Sequence, residues 1–298
     1  MKIGVVMGGV SSEREISLKS GEQVVKFLNR DKYEDIKPIV INSKSDILEK
    51  AKDIDFAFLA LHGKFGEDGT VQAVLETMGI PYSGCGVLTS AICMNKSMTK
   101  RLAASNGVAT AKWYTVKSVE EIDYEKIEDF GYPLFIKPNN GGSSVATFFV
   151  KDKSEVENAV REGLKYDTDV IIEEYIKGEE ITSFVLAGEV FPTVTIKANK
   201  GEFFDYASKY DNDGANEEVI FLEKDLQEKV NSTSKKVWDV LECKSYCRID
   251  MIVKDDIPYL LEVNTLPGMT QASLTPKSAK AVGLSFSELL DKIIECSL

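Results

Sequence analysis

Residues 259–268 read Tyr-Leu-Leu-Glu-Val-Asn-Thr-Leu-Pro-Gly, a buried-strand pattern with a carboxylate and an amide set inside it. Side chains two apart on a strand share a face. Glu262 and Asn264 therefore project together, and Leu261 and Val263 project the other way. Burying that polar pair without partners costs on the order of several kcal/mol. The preceding run, Cys-Arg-Ile-Asp-Met at 247–251, repeats the pattern and puts Arg248 and Asp250 on one face. The short connection Lys254-Asp255-Asp256 lets the two strands pair antiparallel. Asp250, Glu262 and Asn264 can then converge as three oxygen donors with Arg248 beside them. Hard oxygen donors suit Mg²⁺ held jointly by protein and phosphates, and a guanidinium suits an oxyanion. A buried ion pair of Arg248 with the acids accounts for the same spacing, so spacing alone leaves both readings open.

Composition narrows the classes. The 298 residues leave room for about two domains, or three small ones, and a hydrophobic fraction of 43% supplies real cores. Asp and Glu number 48 against 36 Lys and Arg, a net charge of −12. That argues against a nucleic-acid or anionic-membrane partner, since counterion release needs a basic surface. Five cysteines without a CxxC pair, and one histidine, argue against a structural zinc site and for reduced thiols in a cytoplasmic protein. The N-terminal apolar run is too short for a signal peptide, and no stretch reaches membrane-span length.

The first third alternates strands (3–7, 37–41, 56–61) with helices (to about 29, and 70–78), which predicts a parallel α/β sheet. Ser12 and Glu15 have the spacing of a capping box for the first helix. Glu13 and His62 fall at the carboxyl edge of that sheet, where such sheets bind ligands. A helix over 91–106 carries Lys96. Strands over 133–137, 145–150 and 169–174 follow, with a helix over 153–164. The last third reads as strands (180–186, 190–198, 246–253, 258–264), a helix over 224–241, a polar loop over 199–218 and a closing helix from 285.

Residues 135–144 form a strand ending in Lys137, followed by a Gly- and Ser-rich loop. Backbone N–H groups of such a loop can face phosphate while the lysine supplies charge; a mobile surface hairpin fits the same residues. No Walker A loop or strand-linked GxGxxG is present. A serine hydrolase is disfavoured, because the only histidine is His62 and no GxSxG elbow occurs. The turn 173–180 exposes backbone groups that suit an adenine edge and acids that suit ribose hydroxyls, although acidic turns are usually only solvated.

Taken in order, the segments 8–17 (GGVSSEREIS), 60–70 (ALHGKFGEDGT), 81–96, 136–145 (IKPNNGGSSV), 203–210 (FFDYASKY), 247–251 (CRIDM) and 260–276 (LLEVNTLPGMTQASLTP) resemble the D-alanine–D-alanine ligases of the ATP-grasp superfamily. The resemblance spans nearly the whole chain. It implies an α/β fold, α+β in its C-terminal half: an N-terminal parallel-sheet domain (1–92) holding the first D-alanine, then a central ATP-grasp lobe (93–178) and a C-terminal lobe (179–298) with the metal site and a lid loop. It implies ATP and two Mg²⁺, replaceable by Mn²⁺, and a cytoplasmic homodimer serving peptidoglycan precursor synthesis. ATP would phosphorylate one D-alanine carboxylate, and the amine of a second D-alanine would attack the acylphosphate.

Site residues follow by motif. The resemblance gives Glu13 the ammonium of the first D-alanine, with helix-dipole complementarity as its structural alternative, and puts His62 nearby. Lys96 and Lys137 would contact ATP phosphates, Glu173, Glu174, Tyr175 and Ile176 would line the adenine, Glu180 would bind ribose, and Lys209 would reach the γ-phosphate from the lid. Ser143 and Tyr210 would join Glu13 in a hydrogen-bonded set. Arg248 and the Gly268 N–H would hold the tetrahedral oxyanion, and Ser273 and Leu274 the second carboxylate. Asp250, Glu262 and Asn264 would hold metal. Gly141 stands where many relatives carry an acid, Ala146 where many carry glycine, and Ala272 replaces a histidine of some relatives. The alternatives are a ligase accepting D-lactate or D-serine, against which Tyr210 argues, and a non-catalytic ATP-grasp-derived module, against which the intact charged set argues.

Overall fold

The computed structural model describes residues 1–142, 145–198 and 215–298. Strands β1 (Lys2–Gly8), β2 (Asp35–Ile41) and β3 (Phe56–Leu59) form a parallel sheet in the order β2-β1-β3. The near-continuous burial of β1 and β3 is what a parallel sheet covered on both faces requires. Helix α1 (Arg14–Phe27) crosses between β1 and β2, and α2 (Asp46–Lys50) between β2 and β3. A Cβ at Gly21 of α1 would lie 2.5 Å from the Cβ of Met7, so only glycine allows this helix so close to β1.

The capping box expected at Ser12 and Glu15 is not formed. Glu13 is the N-cap of α1 and makes no side-chain cap bond. Ser11 takes the local role: its Oγ accepts from Glu13 N at 3.2 Å and donates to the His62 carbonyl at 2.7 Å. A capping box does open the last helix, where Ser285 and Glu288 satisfy each other's backbone N–H.

Helices α3 (Thr70–Met78), α4 (Val87–Met94) and α5 (Lys96–Ser105) follow. The single helix expected over 91–106 is broken at Asn95, which is extended (φ −92°, ψ 101°) and whose Oδ1 accepts from Met98 N at 2.9 Å. Asparagine offers the backbone a local alternative to helix, and the break sets Lys96 at the start of α5.

Four antiparallel strands make the second sheet: β4 (Trp113–Val116), β5 (Leu134–Pro138), β6 (Phe148–Val150) and β7 (Val170–Glu174), in the order β4-β7-β5-β6. Alternation divides its faces. Leu134, Ile136, Val170 and Ile172 pack with Ile127 of α6 (Tyr124–Phe130) and with Val156 and Val160 of α7 (Lys153–Gly163). Phe135, Lys137 and Glu173 take the opposite face, and Phe135 is paired directly with Glu173.

The third sheet contains β8 (Glu179–Leu186), β9 (Glu189–Val190), β10 (Val194–Ala198), β11 (Ala215–Val219), β12 (Tyr246–Lys254) and β13 (Ile257–Asn264). Its order is β11-β10-β8-β12-β13, with β9 on β8. The expected loop 199–218 is thus corrected at its end. Residues 215–219 lack apolar alternation but pair in register with β10, because an edge strand is held by backbone bonds. One face of this sheet packs Ile181, Val185, Ile249 and Val263 against Val230 and Val237 of α8 (Lys224–Val240). Helix α9 (Leu274–Ala281) follows β13. The last helix, α10 (Phe286–Glu295), turns Leu289, Leu290, Ile293 and Ile294 into the same core as β1 and β3. The end of the chain is thereby tied to its beginning.

Candidate functional site

The β12–β13 ladder pairs Arg248 with Asn264 and Asp250 with Glu262, so the four polar side chains share one face. Asp250 is buried and saturated. Arg248 reaches its two oxygens through Nε (2.9 Å) and a terminal nitrogen (2.7 Å), Thr182 of β8 donates to Oδ1 (2.6 Å), and the Asn264 amide donates to Oδ2 (2.9 Å). Burial pulls the Arg248 guanidinium down, but Asp250 more than offsets it, so the charge is held above the usual arginine range. The ion pair anticipated as an alternative to a metal site is therefore formed. Glu262 is half-buried, with Lys96 Nζ 3.3 Å from its Oε2.

Two cavities meet at this cluster. Lys96, Lys137, Glu173, Glu174, Tyr175, Ile176 and Glu180 line the first, and Glu13, His62, Arg248, Asn264, Gly268, Ser273 and Leu274 line the second. Gly142, Glu180, Asp250 and Glu262 belong to both walls. In the first cavity Tyr175 packs edge-on against Phe135 and Phe149, with ring centroids 5.8 and 5.3 Å away. A Cβ at Gly178 would lie 2.2 Å from the Val253 carbonyl oxygen, so the turn leaving β7 lies hard against β12.

The glycine loop after β5 is anchored as far as Asn140. Asn139 is buried, accepts from Ser97 N (2.9 Å) and donates to Asp169 (2.7 Å), while Asn140 N donates to Asp167 (2.6 Å). Lys96 Nζ donates to the Gly141 carbonyl at 2.5 Å. Ala146 has φ +54°, so the departure from glycine there places a Cβ in the left-handed region. Ser143, Lys209 and Tyr210 lie outside the described residues.

In the second cavity His62 is buried with both ring nitrogens engaged. Nδ1 meets the Leu266 carbonyl and Nε2 the Ser20 hydroxyl, each at 3.1 Å. A carbonyl can only accept, so Nδ1 carries the proton and Nε2 accepts from Ser20. Burial lowers the imidazole to about 4, which keeps it neutral. It ties the end of β3 to the segment after β13. Glu13 sits over Gly63, where a Cβ would lie 2.5 Å from its Oε2. Ser273 Oγ accepts from Thr270 N at 3.1 Å, and Ser273 is the N-cap of α9.

Residues 102–295 match the family model of the D-ala D-ala ligase C-terminus, and residues 42–85 that of the D-ala D-ala ligase N-terminus. The chain belongs to the D-alanine–D-alanine ligase family. It is 61% identical over 298 residues to the D-alanine–D-alanine ligase of Clostridium perfringens (strain SM101 / Type A), covering 100% of this chain and 98% of that one. Its fold matches the D-alanine–D-alanine ligase of Bacillus anthracis complexed with ATP (TM-score 0.91, 48% identity, 100% and 97% of the two chains). It also matches the VanG D-Ala:D-Ser ligase of Enterococcus faecalis (TM-score 0.86, 32% identity, 100% and 99%).

Against this D-alanine–D-alanine ligase framework, the sequence reading missed two site groups. One is Lys100, fully buried beside Glu173. The other is Glu67, which lines the second cavity and accepts from Gly63 N at 2.7 Å. Its place in the segment 60–70 was the available signal. Burial, then the charge of Glu13, push its carboxyl from 4.5 to about 8. The folded chain therefore holds a proton there that the unfolded chain releases. The stabilisation is complete below the unfolded pKa and is lost as pH rises through about 8. Glu67→Gln is expected to flatten the fall in melting temperature between pH 5 and 8, roughly the window between those pKa values. Superimposable melting profiles of parent and variant would contradict the shift.

Proposed function

We infer that the chain joins two D-alanines into D-alanyl-D-alanine, the ligation for which its close relatives are named, with conversion of ATP to ADP and phosphate. The observation that carries the reading is the shared wall of the two cavities. Asp250 and Glu262 border both, so a phosphate tail in one would meet a carboxylate in the other.

Lys96 and Lys137 grip the phosphates, with Glu173 to Ile176 at the adenine and Glu180 at the ribose. Glu13 holds the ammonium of the first D-alanine. The Ser273 hydroxyl and the Leu274 N–H, opening α9, take the carboxylate of the second, where a helix start favours an anion; the Ser273 N–H is engaged by the Thr270 carbonyl. Arg248 and the Gly268 N–H face the oxygen that becomes negative in the tetrahedral intermediate. Neutral His62 leaves the local positive charge to Arg248. Phosphorylation makes the first carboxylate an acylphosphate, the acceptor amine forms the C–N bond, and the C–O bond to phosphate breaks. Most of the catalysis is positioning and charge compensation.

The metal reading is tested by the donor set. Among the described residues no cluster of three or more His, Cys, Asp or Glu side chains is arranged to hold a metal. The two carboxylates and the Asn264 amide oxygen are nevertheless the hard donors Mg²⁺ takes when phosphates complete its shell. Asp250 already accepts four hydrogen bonds, so Asn264 must withdraw its N–H for both residues to serve. Bound there, Mg²⁺ would neutralise phosphate charge. The family resemblance also carries the three-part division 1–92, 93–178 and 179–298, and a cytoplasmic homodimer, into this proposal.

The test is ADP release by the purified chain with ATP and Mg²⁺, with D-alanine present or absent and the product resolved by mass. D-Alanine-dependent ADP with equimolar dipeptide is expected. The likeness to a D-Ala:D-Ser ligase makes D-serine the second acceptor to include, with D-lactate beside it. Exclusive formation of a mixed product overturns the acceptor assignment. No ADP at saturating D-alanine overturns the enzyme reading.

A further inference from the structure

At the back of the nucleotide cavity one buried carboxylate is shared by two lysines. Glu173 is 2% exposed. Its Oε1 lies 3.3 Å from Lys137 Nζ and its Oε2 3.2 Å from Lys100 Nζ. The two lysines are not equivalent. Lys137 lines the cavity, whereas Lys100 is sealed behind it, 0% exposed. Lys100 also donates to Thr110 Oγ1 at 2.7 Å, and that hydroxyl donates to the Leu260 carbonyl on β13 at 2.8 Å. Its ammonium lies 5.6 Å from the centre of the Trp113 ring. Lys100 is thus fixed by α5, β4 and β13 together, while Lys137 has one side open to the nucleotide.

We propose that Lys100 is a positioning residue for ATP: by pairing permanently with Glu173, it frees Lys137 to exchange that carboxylate for a phosphate. The inference deepens the proposed function and rests on the phosphate role of Lys137. The argument is one of charge. Two ammonium groups and one carboxylate leave this trio net positive, and Lys137 is its member that faces the cavity. When a phosphate draws Lys137 away, Glu173 keeps a buried counter-ion. Without Lys100, the same movement would strand a carboxylate in the interior, and breaking a buried pair from one side is strongly unfavourable. Burial pushes the Glu173 carboxyl up, but Lys100 and then Lys137 more than offset it, so it is held ionised. Burial lowers Lys100 despite Glu173, as sealing an ammonium in the interior requires.

A purely structural Lys100, tying α5 to Thr110, would act independently of Glu173. The test therefore compares Lys100→Met, Glu173→Gln and their combination, with ATP affinity measured by calorimetric titration with Mg²⁺ and no D-alanine, beside KM and kcat. Lys100→Met is expected to weaken ATP binding and raise its KM about tenfold, with kcat changed by less than about threefold. The double variant is expected to bind ATP within about threefold of Glu173→Gln alone, since a neutral amide needs no counter-ion. Unchanged ATP affinity in Lys100→Met, or a double variant far weaker than Glu173→Gln, overturns the inference. If Lys100→Met does not fold, the comparison of Glu173→Gln with the double variant decides alone. Lys137→Ala separates the two levels. ATP binding like the parent's overturns the phosphate role and this inference with it, while a loss there beside an unaffected Lys100→Met overturns the inference only.

Discussion

Arg248→Ala is expected to lower kcat/KM by about 10²–10³-fold and to destabilise the chain by about 3–5 kcal/mol. The two effects have different sources in one side chain. Asp250 is 5% exposed, and both its oxygens rest on the guanidinium. Removing the guanidinium leaves that buried carboxylate with Thr182 and Asn264, neutral donors that cannot offset its charge. The rate effect comes from the cavity side, where Arg248 stands with Gly268. Arg248→Lys separates them. It restores a charge but not the planar fork, so it should recover part of the stability and little of the rate. Denaturant unfolding and steady-state kinetics on both variants check this. A destabilised Arg248→Ala that turns over like the parent would reduce Arg248 to a structural ion pair, the reading that spacing alone also allowed.

The sequence disclosed the sheet that bears the site because period-two alternation in 246–264 specifies both register and face. Arg248, Asp250, Glu262 and Asn264 converge as that alternation requires. In the second sheet the structure shows the same alternation, with Phe135 and Lys137 on one face and Leu134 and Ile136 on the other. What stayed hidden depended on distant or weakly patterned contacts. Lys100 lies in a Lys- and Arg-rich helix that reads as solvated, and only the docking of α5 against β4, β7 and β13 buries it. Glu67 is one acid within the segment 60–70, and its shift arises from burial and then from Glu13 across the cavity. The break at Asn95 and helix α9 were missed for local reasons. An asparagine inside an apolar helical pattern is easily absorbed into it. Helix α9 has Pro276 in its first turn, where a proline loses only an N–H that has no partner there. The fold and the activity were legible through ordered motifs, while the network of counter-charges beneath them needed three-dimensional proximity.

Glu262→Gln is expected to act in the opposite sense to Arg248→Ala, with a large loss of function and little loss of stability. Glu262 is half-buried at the junction of the two cavities, and Lys96, though buried, also donates to the Gly141 carbonyl and keeps that partner. With Glu262 partly solvated and Lys96 still hydrogen-bonded, breaking the pair costs about 1–2 kcal/mol. Turnover should nevertheless fall by about 10²-fold or more, because the proposed function puts this carboxylate against the phosphate tail and metal, and the variant replaces it with a neutral amide. Two readouts locate the cause. The Mg²⁺ concentration for half-maximal rate should rise about tenfold or more. A titration of Mn²⁺ binding with ATP present and no turnover should weaken in parallel. An unchanged metal requirement with a reduced rate would assign Glu262 to holding Lys96 against the phosphates instead. An unchanged rate would remove it from the site altogether. The contrast between the two variants follows from the ladder itself. Asp250 and Glu262 face each other across β12 and β13, yet only Asp250 is committed to an internal guanidinium. Its partner strand therefore presents the carboxylate that can trade a lysine for a metal at little cost to the fold.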